Sequence, residues 1–442
     1  MIHLDEKLIC LLEWIKNTQD EKLQPSTHSY ISPKIEVRDV KSSGRGIYTN
    51  DKLIKSELIL RIPPSFLLNT TTVLCHLAKY NNSIPIAGNI YTPFETLHDE
   101  FTMKIYEKLS HKELSELSSF QLLSLYITIE KQRLDKSFWK PFLNMLPTLS
   151  DFEMMPLVWK VIHNNDKLIN LLPKSTQIAA EKVYTRFIND YKIVSDLVQS
   201  KCDTDPDNLV PKESFLLSWI CINSRCLYMS LPTSKSTSDN FTMAPYVDFL
   251  NHSCENHCTL KIDGKGFQVL TTTAYDHDEQ VYLSYGPHSN DFLLCEYGFV
   301  IGNDENKWND LDISEYLIRL MKPTQIEFLK EYDYYGDYTM TKDGISFRTE
   351  VALAVVQERI PKESRRLMGL INGITDGNAY KTHSSLLLKA ILDKVIVEAE
   401  NHKYLEFNDD SDLMNRERKK AIGVLYNDRL FVAKNVLQSL EI

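Results

Sequence analysis

The placement of the β-forming segments constrains this chain most. One group lies near the start, the other beyond residue 240, and a long helical stretch separates them. In the first group Ile35 and Val37 alternate with polar residues, and a glycine turn, Ser43-Gly44-Arg45-Gly46, follows. Ile47-Tyr48 and Leu58 to Ile62 then read as short strands, the last stopped by Pro63-Pro64. The second group is Leu260-Lys261-Ile262, Phe267 to Leu270 and Gln280 to Ser284, with Asp263-Gly264-Lys265-Gly266 as a hairpin turn. Strands separated in this way predict one β domain interrupted by a helical insertion. Two unrelated β regions in separate domains satisfy the same pattern.

The intervening chain is helical in character from about Glu95 to Tyr228. Phe138-Trp139-Lys140-Pro141 and Leu146-Pro147 break it, and long helices are expected over Ile178 to Val198 and Phe215 to Met229. Leu4, Leu8, Leu11, Leu12 and Ile15 predict an opening amphipathic helix. Thr233 to Asn240 is a polar loop. Helices dominate again from Ile313, including Glu350 to Glu358, Ser384 to Glu400 and Met414 to Leu440. The expected organisation is an N-terminal helix over 1–30, β segments over 31–75 and 233–312, a helical insert over 76–232 and a helical tail over 313–442.

Composition narrows the function. A formal net charge of -10 argues against a chain whose main task is gripping nucleic acid, and fits a partner that displays positive charge. The 8 cysteines are scattered rather than framed, and Met1 to Glu6 lacks a signal-peptide pattern, so a reducing compartment, cytoplasmic or nuclear, is expected. No apolar run is long enough to span a bilayer, so no membrane association is expected. A monomer is the default.

Three stretches carry chemistry. Gly44-Arg45-Gly46 admits close backbone approach to a ligand, and equally an ordinary strand turn. Tyr246 to Ser253 alternates aromatic and aliphatic residues with Asp248, Asn251 and His252, which suit a zwitterion or an adenine edge; a structural histidine fits as well. Tyr285-Gly286 and Tyr297-Gly298-Phe299 follow closely, offering hydroxyls at a pocket floor or plain packing. Cys254, His257 and Cys258 suggest zinc, but no cysteine-rich segment follows Phe299 and zinc takes about four ligands, so no metal is expected.

Taken together and in this order, these stretches resemble the SET-domain family of protein methyltransferases. The similarity is greatest to the branch containing the Rubisco large-subunit methyltransferase. It extends over almost the whole chain. It is strong at Ser43 to Ile47, Glu57 to Pro63, Ser137 to Phe142 with Leu146-Pro147, Asn223 to Arg225, Asp248 to Ser253 and Asp278 to Phe299. Asn170 to Ser175 and Tyr285 to His288 narrow it to one subgroup. The resemblance implies an α+β class: a β-rich SET fold with a pseudoknot, interrupted by a helical insert and followed by an all-helical substrate-binding domain.

It also implies roles. The cofactor would be S-adenosyl-L-methionine, its methionine part held by Ser43, Gly44, Arg45 and Gly46. Ser224 and Arg225 would close one side, and Asn251 and His252 would contact the cofactor. Arg225 and Asp248 would face the substrate channel. Tyr285 would be the catalytic tyrosine, also touching the cofactor, and Tyr297 and Phe299 would line a lysine tunnel. Ser43 departs from members with Glu there, and Asp278-Glu279-Gln280 replaces a frequent Gly-Glu-Gln. The implied partner is a protein, histone or non-histone, carrying the target lysine. A histidine acceptor, a catalytically inactive SET-fold binding protein and a helical scaffold with an embedded β module remain alternatives.

Those residue types suit the reaction. An attacking lysine amine must be neutral, and neutralising a free lysine at pH 7 costs roughly 4–5 kcal/mol. An apolar aromatic tunnel lowers that cost, and a tyrosine hydroxyl that fixes the line of attack favours the transfer further.

Overall fold

The computed structural model describes residues 2–16, 28–40, 44–85, 96–202, 205–231, 239–255, 257–263, 265–302, 304–402 and 413–440. By compactness the chain divides into one unit of Met1–Phe152 with Tyr184–Gly286, and a second of Glu153–Val183 with Pro287–Ile442.

The first unit carries strands β1 (Tyr30–Ile31), β2 (Ile35–Val40), β3 (Gly44–Thr49), β4 (Leu58–Ile62), β5 (Leu68–Asn69), β6 (Leu227–Tyr228), β7 (Phe241–Met243), β8 (Asn251–His252), β9 (Cys258–Asp263), β10 (Gly266–Thr271) and β11 (Gln280–Leu283). They form sheets ordered β1-β4-β10-β9, β2-β3-β11-β8 and β5-β7-β6. Early and late strands thus share sheets: β4 pairs with β10 through Ile62↔Phe267, and β3 pairs with β11 through Tyr48↔Gln280. The driving force is apolar burial, because Ile47, Ile59, Leu60, Ile62, Phe267, Val269 and Val281 are fully buried. The expected hairpin is present, with Asp263 opposite Gly266.

Three local expectations change. Gly44 and Gly46 are strand residues rather than turn residues, because the β2–β3 ladder runs on to Val40↔Gly44. Ser43 lies outside the described residues, as do most of the expected polar loop over 233–240 and position 264 of the expected hairpin turn. The helix expected to reach Met229 ends at Arg225. Leu227 and Tyr228 pair instead with Thr242 and Phe241, so strand pairing overrides the helical periodicity. The Phe138 to Pro141 break contains a short helix of its own, Lys140–Leu143, which tolerates Pro141 in its first turn. Its aromatic residues anchor the opening helix, Ile2–Lys16. Trp14 lies 4.6 Å from Phe66 and 5.1 Å from Phe138, ring centre to ring centre.

The second unit holds two apolar cores. One joins Leu311, Phe328, Tyr338, Val351, Leu367, Leu392 and Val432. The other joins Trp159, Leu168 and Leu172 to Leu294, Ile422 and Leu425. Residues from the middle of the expected insert therefore pack with the C-terminal helix Leu413–Ser439, and the compact division does not follow the expected boundaries. The C-terminal region is helical but not all-helical. Strands β12 (Leu311–Asp312), β13 (Thr339–Thr341) and β14 (Gly344–Ile345) form a three-stranded sheet. These strands are two or three residues long, too short to show alternation. Among the described residues no helix is long and apolar enough to cross a membrane.

A buried polar network braces the helix Ser119–Gln132 in the first unit. Arg133 donates to Glu130 (2.7 Å) and Asp99 (2.8 Å), and Tyr106 donates to Glu130 (2.8 Å). Trp139 Nε1 donates to the Tyr126 hydroxyl (3.0 Å), which lies 2.6 Å from His76 Nδ1. Beside this hydroxyl the buried imidazole stays neutral. Burial, reinforced by Arg133 and Lys79, pushes His76 down to about 3. The unfolded chain binds this proton below about pH 6.5 while the folded chain does not. Stability is then lost as the pH falls from 6.5 towards 3, at about 1.4 kcal/mol per pH unit from this group. Denaturant unfolding at pH 7, 6 and 5 should show a shallower pH slope in His76→Gln than in wild type. Equal slopes would remove His76 as the cause.

Candidate active site

The site of the first unit is built on the contact between β8 and β11. These strands pair in parallel, Asn251 beside Tyr282 and His252 beside Leu283, and the Ser253 N–H extends the ladder to the Leu283 carbonyl at 3.1 Å. Tyr285 emerges just past β11 and is held twice. Its N–H donates to His252 Nδ1 at 3.0 Å, and its hydroxyl donates to the Leu250 carbonyl at 2.9 Å. The first bond fixes the tautomer: Nδ1 accepts, so in the neutral ring the proton sits on Nε2. The second commits the hydroxyl hydrogen, leaving the phenol oxygen to accept.

On the other side of β11 stands β3. Asn251 Nδ2 donates to the Arg45 carbonyl at 3.0 Å, so Asn251 ties the glycine segment to the Asn-His strand. The two glycines have different reasons. Gly44 takes φ +75°, with open space where a Cβ would stand. A Cβ on Gly46 would meet Gln280 Nε2 at 2.2 Å, Val40 Cγ2 at 2.9 Å and Asn251 Nδ2 at 3.0 Å. Backbone thus comes within reach of side chains that no larger residue would permit.

Charge collects beside this backbone. Arg45 donates to the Met145 carbonyl at 2.6 Å, and its guanidinium lies 5.5 Å from the centre of the Phe249 ring. Arg225, the last residue of the helix Lys212–Arg225, bonds the Asp248 carboxylate at 3.1 Å and the Asp248 carbonyl at 3.0 Å. The Asp248 side chain is only 2% exposed. Burial raises its carboxyl above the usual range, against the opposing pull of Arg225 and Arg45. Burial and the neighbouring Arg225 lower Arg45, against the pull of Asp248. Arg225 holds the Asp248 carboxylate by a hydrogen bond, and Arg45 acts on it through charge alone, itself also under the influence of Asp151 and Asp39. Ser224 donates back to the Ile220 carbonyl at 2.8 Å within its own helix. Tyr246, just before the turn that carries Asp248, is buried at φ +70°, a conformation costing about 1–3 kcal/mol.

These residues fit S-adenosylmethionine. Asp248 Oδ1, Arg225 Nε and Gln280 Nε2 are buried without a hydrogen-bond partner among the described residues. Each such atom costs about 1–3 kcal/mol until something polar meets it. An amino-acid ligand supplies a carboxylate for a guanidinium or amide N–H and an ammonium for a carboxylate oxygen.

Tyr297 and Phe299 belong to the second unit. Their rings lie 6.2 Å apart across Gly298, whose φ of +82° ends the helix Asn290–Tyr297. A Cβ there would come within 2.7 Å of Met155. Cys258 is buried and Cys254 half-buried, and among the described residues no group of three His, Cys, Asp or Glu is placed to hold a metal.

The family described as SET domain matches residues 44–286, more than half of the 442-residue chain. The chain belongs to the SET-domain family. Residues 309–439 match the family described as Ribosomal lysine N-methyltransferase 2 C-terminal domain. Ribosomal lysine N-methyltransferase 2 of Saccharomyces cerevisiae is 33% identical, over 88% of this chain and 90% of that protein. Ribosomal lysine N-methyltransferase set11 of Schizosaccharomyces pombe is 27% identical, over 86% and 87%. SET domain-containing protein 4 of Homo sapiens, the subgroup to which the Asn170 and Tyr285 motifs pointed, is 26% identical over 79% and 72%. The yeast protein is thus the more similar of these. The fold matches the crystal structure of the SET domain of LSMT bound to lysine and AdoHcy, with a TM-score of 0.61 and 14% identity over 97% of this chain and 90% of that one.

The structure brings Gly44, Arg45, Gly46, Arg225, Asp248, Asn251, His252 and Tyr285 together. It adds residues that sequence reasoning missed: Gln280 against Gly46, Met145 and Phe249 against Arg45, and the Leu250 carbonyl under Tyr285. The Arg45–Met145 bond spans 100 positions and uses a backbone oxygen, which leaves no sequence signal. Gly46→Ala should lower unfolding stability by about 1–3 kcal/mol through overpacking. Because the nearest clash is with a flexible side-chain end, Gly46→Ala with Gln280→Ala should recover part of it. Thermal unfolding of both variants checks this, and a neutral Gly46→Ala would contradict the packing described.

Proposed function

We propose that the chain is an S-adenosylmethionine-dependent protein-lysine N-methyltransferase whose acceptor is a ribosomal protein. The double anchoring of Tyr285, to His252 and to the Leu250 carbonyl, carries the catalytic part of this reading. The names of the yeast relatives and the match over residues 309–439 support the acceptor. Scattered free cysteines and the acceptor class favour the cytoplasm or nucleus.

When bound, the cofactor supplies an electrophilic methyl group on a sulfonium. Arg45 and Arg225 would hold its carboxylate, and Gly44 and Gly46 would allow it to approach the backbone. Tyr285 keeps its hydrogen on Leu250 and turns an oxygen lone pair to the substrate. There it accepts an N–H of the lysine amine and directs the nitrogen lone pair along the line of attack. The amine must arrive neutral, and a wall of aromatic rings, for which Tyr297 and Phe299 are the candidates, disfavours its charged form. Turnover therefore rises with pH until the bound lysine is neutral.

The test begins with calorimetric titration of S-adenosylhomocysteine into wild type freed of bound cofactor, and into Asn251→Ala. Wild type should bind and the variant should lose at least tenfold in affinity. Failure of folded, cofactor-free wild type to bind would overturn the reading. Tritiated S-adenosylmethionine with isolated ribosomal proteins should then label lysine. Label on histidine would replace the lysine assignment. Tyr285→Phe should lose roughly 100-fold in kcat, with S-adenosylhomocysteine affinity little changed; full turnover in that variant would remove Tyr285 from the mechanism.

A further inference from the structure

A close ring contact in the second unit plays no part in the site described so far. The imidazole of His288 stacks on Phe292 with centres 4.1 Å apart and planes 16° from parallel. Both rings adjoin Tyr297, at 6.4 Å and 6.3 Å, and Tyr297 adjoins Phe299. The four rings form one continuous patch, with Phe292 at its open end, 39% exposed.

Phe292 is displayed from a rigid base. Its helix, Asn290–Tyr297, is pinned on both sides of it. Asn290 donates to Asp428 at 2.8 Å and to the Ile301 carbonyl at 2.7 Å. Asp291 accepts from the buried guanidinium of Arg429 at 2.8 Å. Leu293 and Leu294 are fully buried. An aromatic ring fixed by its neighbours and left in water loses little entropy on meeting a partner. Glu296 follows one turn later, so ring and carboxylate share a helix face.

We propose that the stacked His288–Phe292 pair is a specificity element that receives a basic side chain next to the target lysine of the substrate polypeptide. This rests on the lysine methyltransferase reading. The exposed face of the Phe292 ring attracts a guanidinium or an ammonium, and the chain's net charge of -10 favours a cationic partner. The ring patch continues into Tyr297 and Phe299, so the two recognition points would be one surface.

The test uses the full chain loaded with S-adenosylhomocysteine, and lysine-centred peptides with arginine or alanine at each flanking position. Calorimetry does not depend on turnover, and loading itself reports separately on the cofactor site. For at least one flank the arginine peptide should bind roughly 2- to 30-fold tighter than its alanine counterpart. Phe292→Leu, which keeps apolar area but no ring, should abolish that preference, whereas Phe292→Tyr should retain it. An arginine peptide that binds no better than alanine, or not at all, overturns the proposal, as does a preference undiminished in Phe292→Leu. Loss of S-adenosylhomocysteine loading would instead indict the methyltransferase reading.

Discussion

The two-residue parallel ladder between Asn251-His252 and Tyr282-Leu283 is the contact on which the rest of the site depends. It is small, and a parallel pair of this length has little stability of its own. Side-chain bonds on both flanks supply what the ladder lacks. Asn251 reaches across to the Arg45 carbonyl, and Tyr285 reaches back to His252 and Leu250. Each group that would touch the cofactor is thus also a structural member. Such a site is precise because its residues cannot move singly, and for the same reason a change at one of them disturbs the others.

The Arg45, Arg225 and Asp248 group shows the energetic side of that arrangement. A carboxylate as buried as Asp248 is costly unless paired, and Arg225 pairs it through only one oxygen. One oxygen of that carboxylate and the Nε of Arg225 are left for a polar ligand to satisfy. Binding and local stability should therefore be strongly coupled.

Much of this was legible in the sequence. The strand segments at Leu58 to Ile62, Phe267 to Leu270 and Gln280 to Leu283 are short and rich in apolar residues, the first stopped by Pro63 and the second opened by Gly266, so their existence was readable from the sequence. The helices Lys174–Lys201, Lys381–His402 and Leu413–Ser439 are long enough for periodicity to identify. What stayed hidden is the pairing. Nothing in the residues of β3 says that its neighbour is β11, and β8 is too short to read as a strand. The Leu227-Tyr228 strand was hidden by apolar spacing that continues the preceding helix. The site residues came from motif order, whereas their partners, the Leu250 and Met145 carbonyls, are backbone atoms that carry no side-chain signature.

The geometry of Tyr285 decides between two kinds of chemistry. A tyrosine acting as a base must release its proton and then take one from the substrate. Here the hydroxyl hydrogen is engaged by the Leu250 carbonyl, and ionisation would turn that bond into a repulsion between two oxygens. The group is built to stay protonated and to accept. An acceptor can orient a neutral amine without removing a proton from it, so neutralisation must be achieved elsewhere, by solvent before entry or by the apolar surroundings of the side chain. On the proposed reading, that division of labour suits methyl transfer to an amine, for which the task of Tyr285 is alignment and that of its surroundings desolvation. Both are properties of rigid packing, which the ladder and its flanking bonds provide.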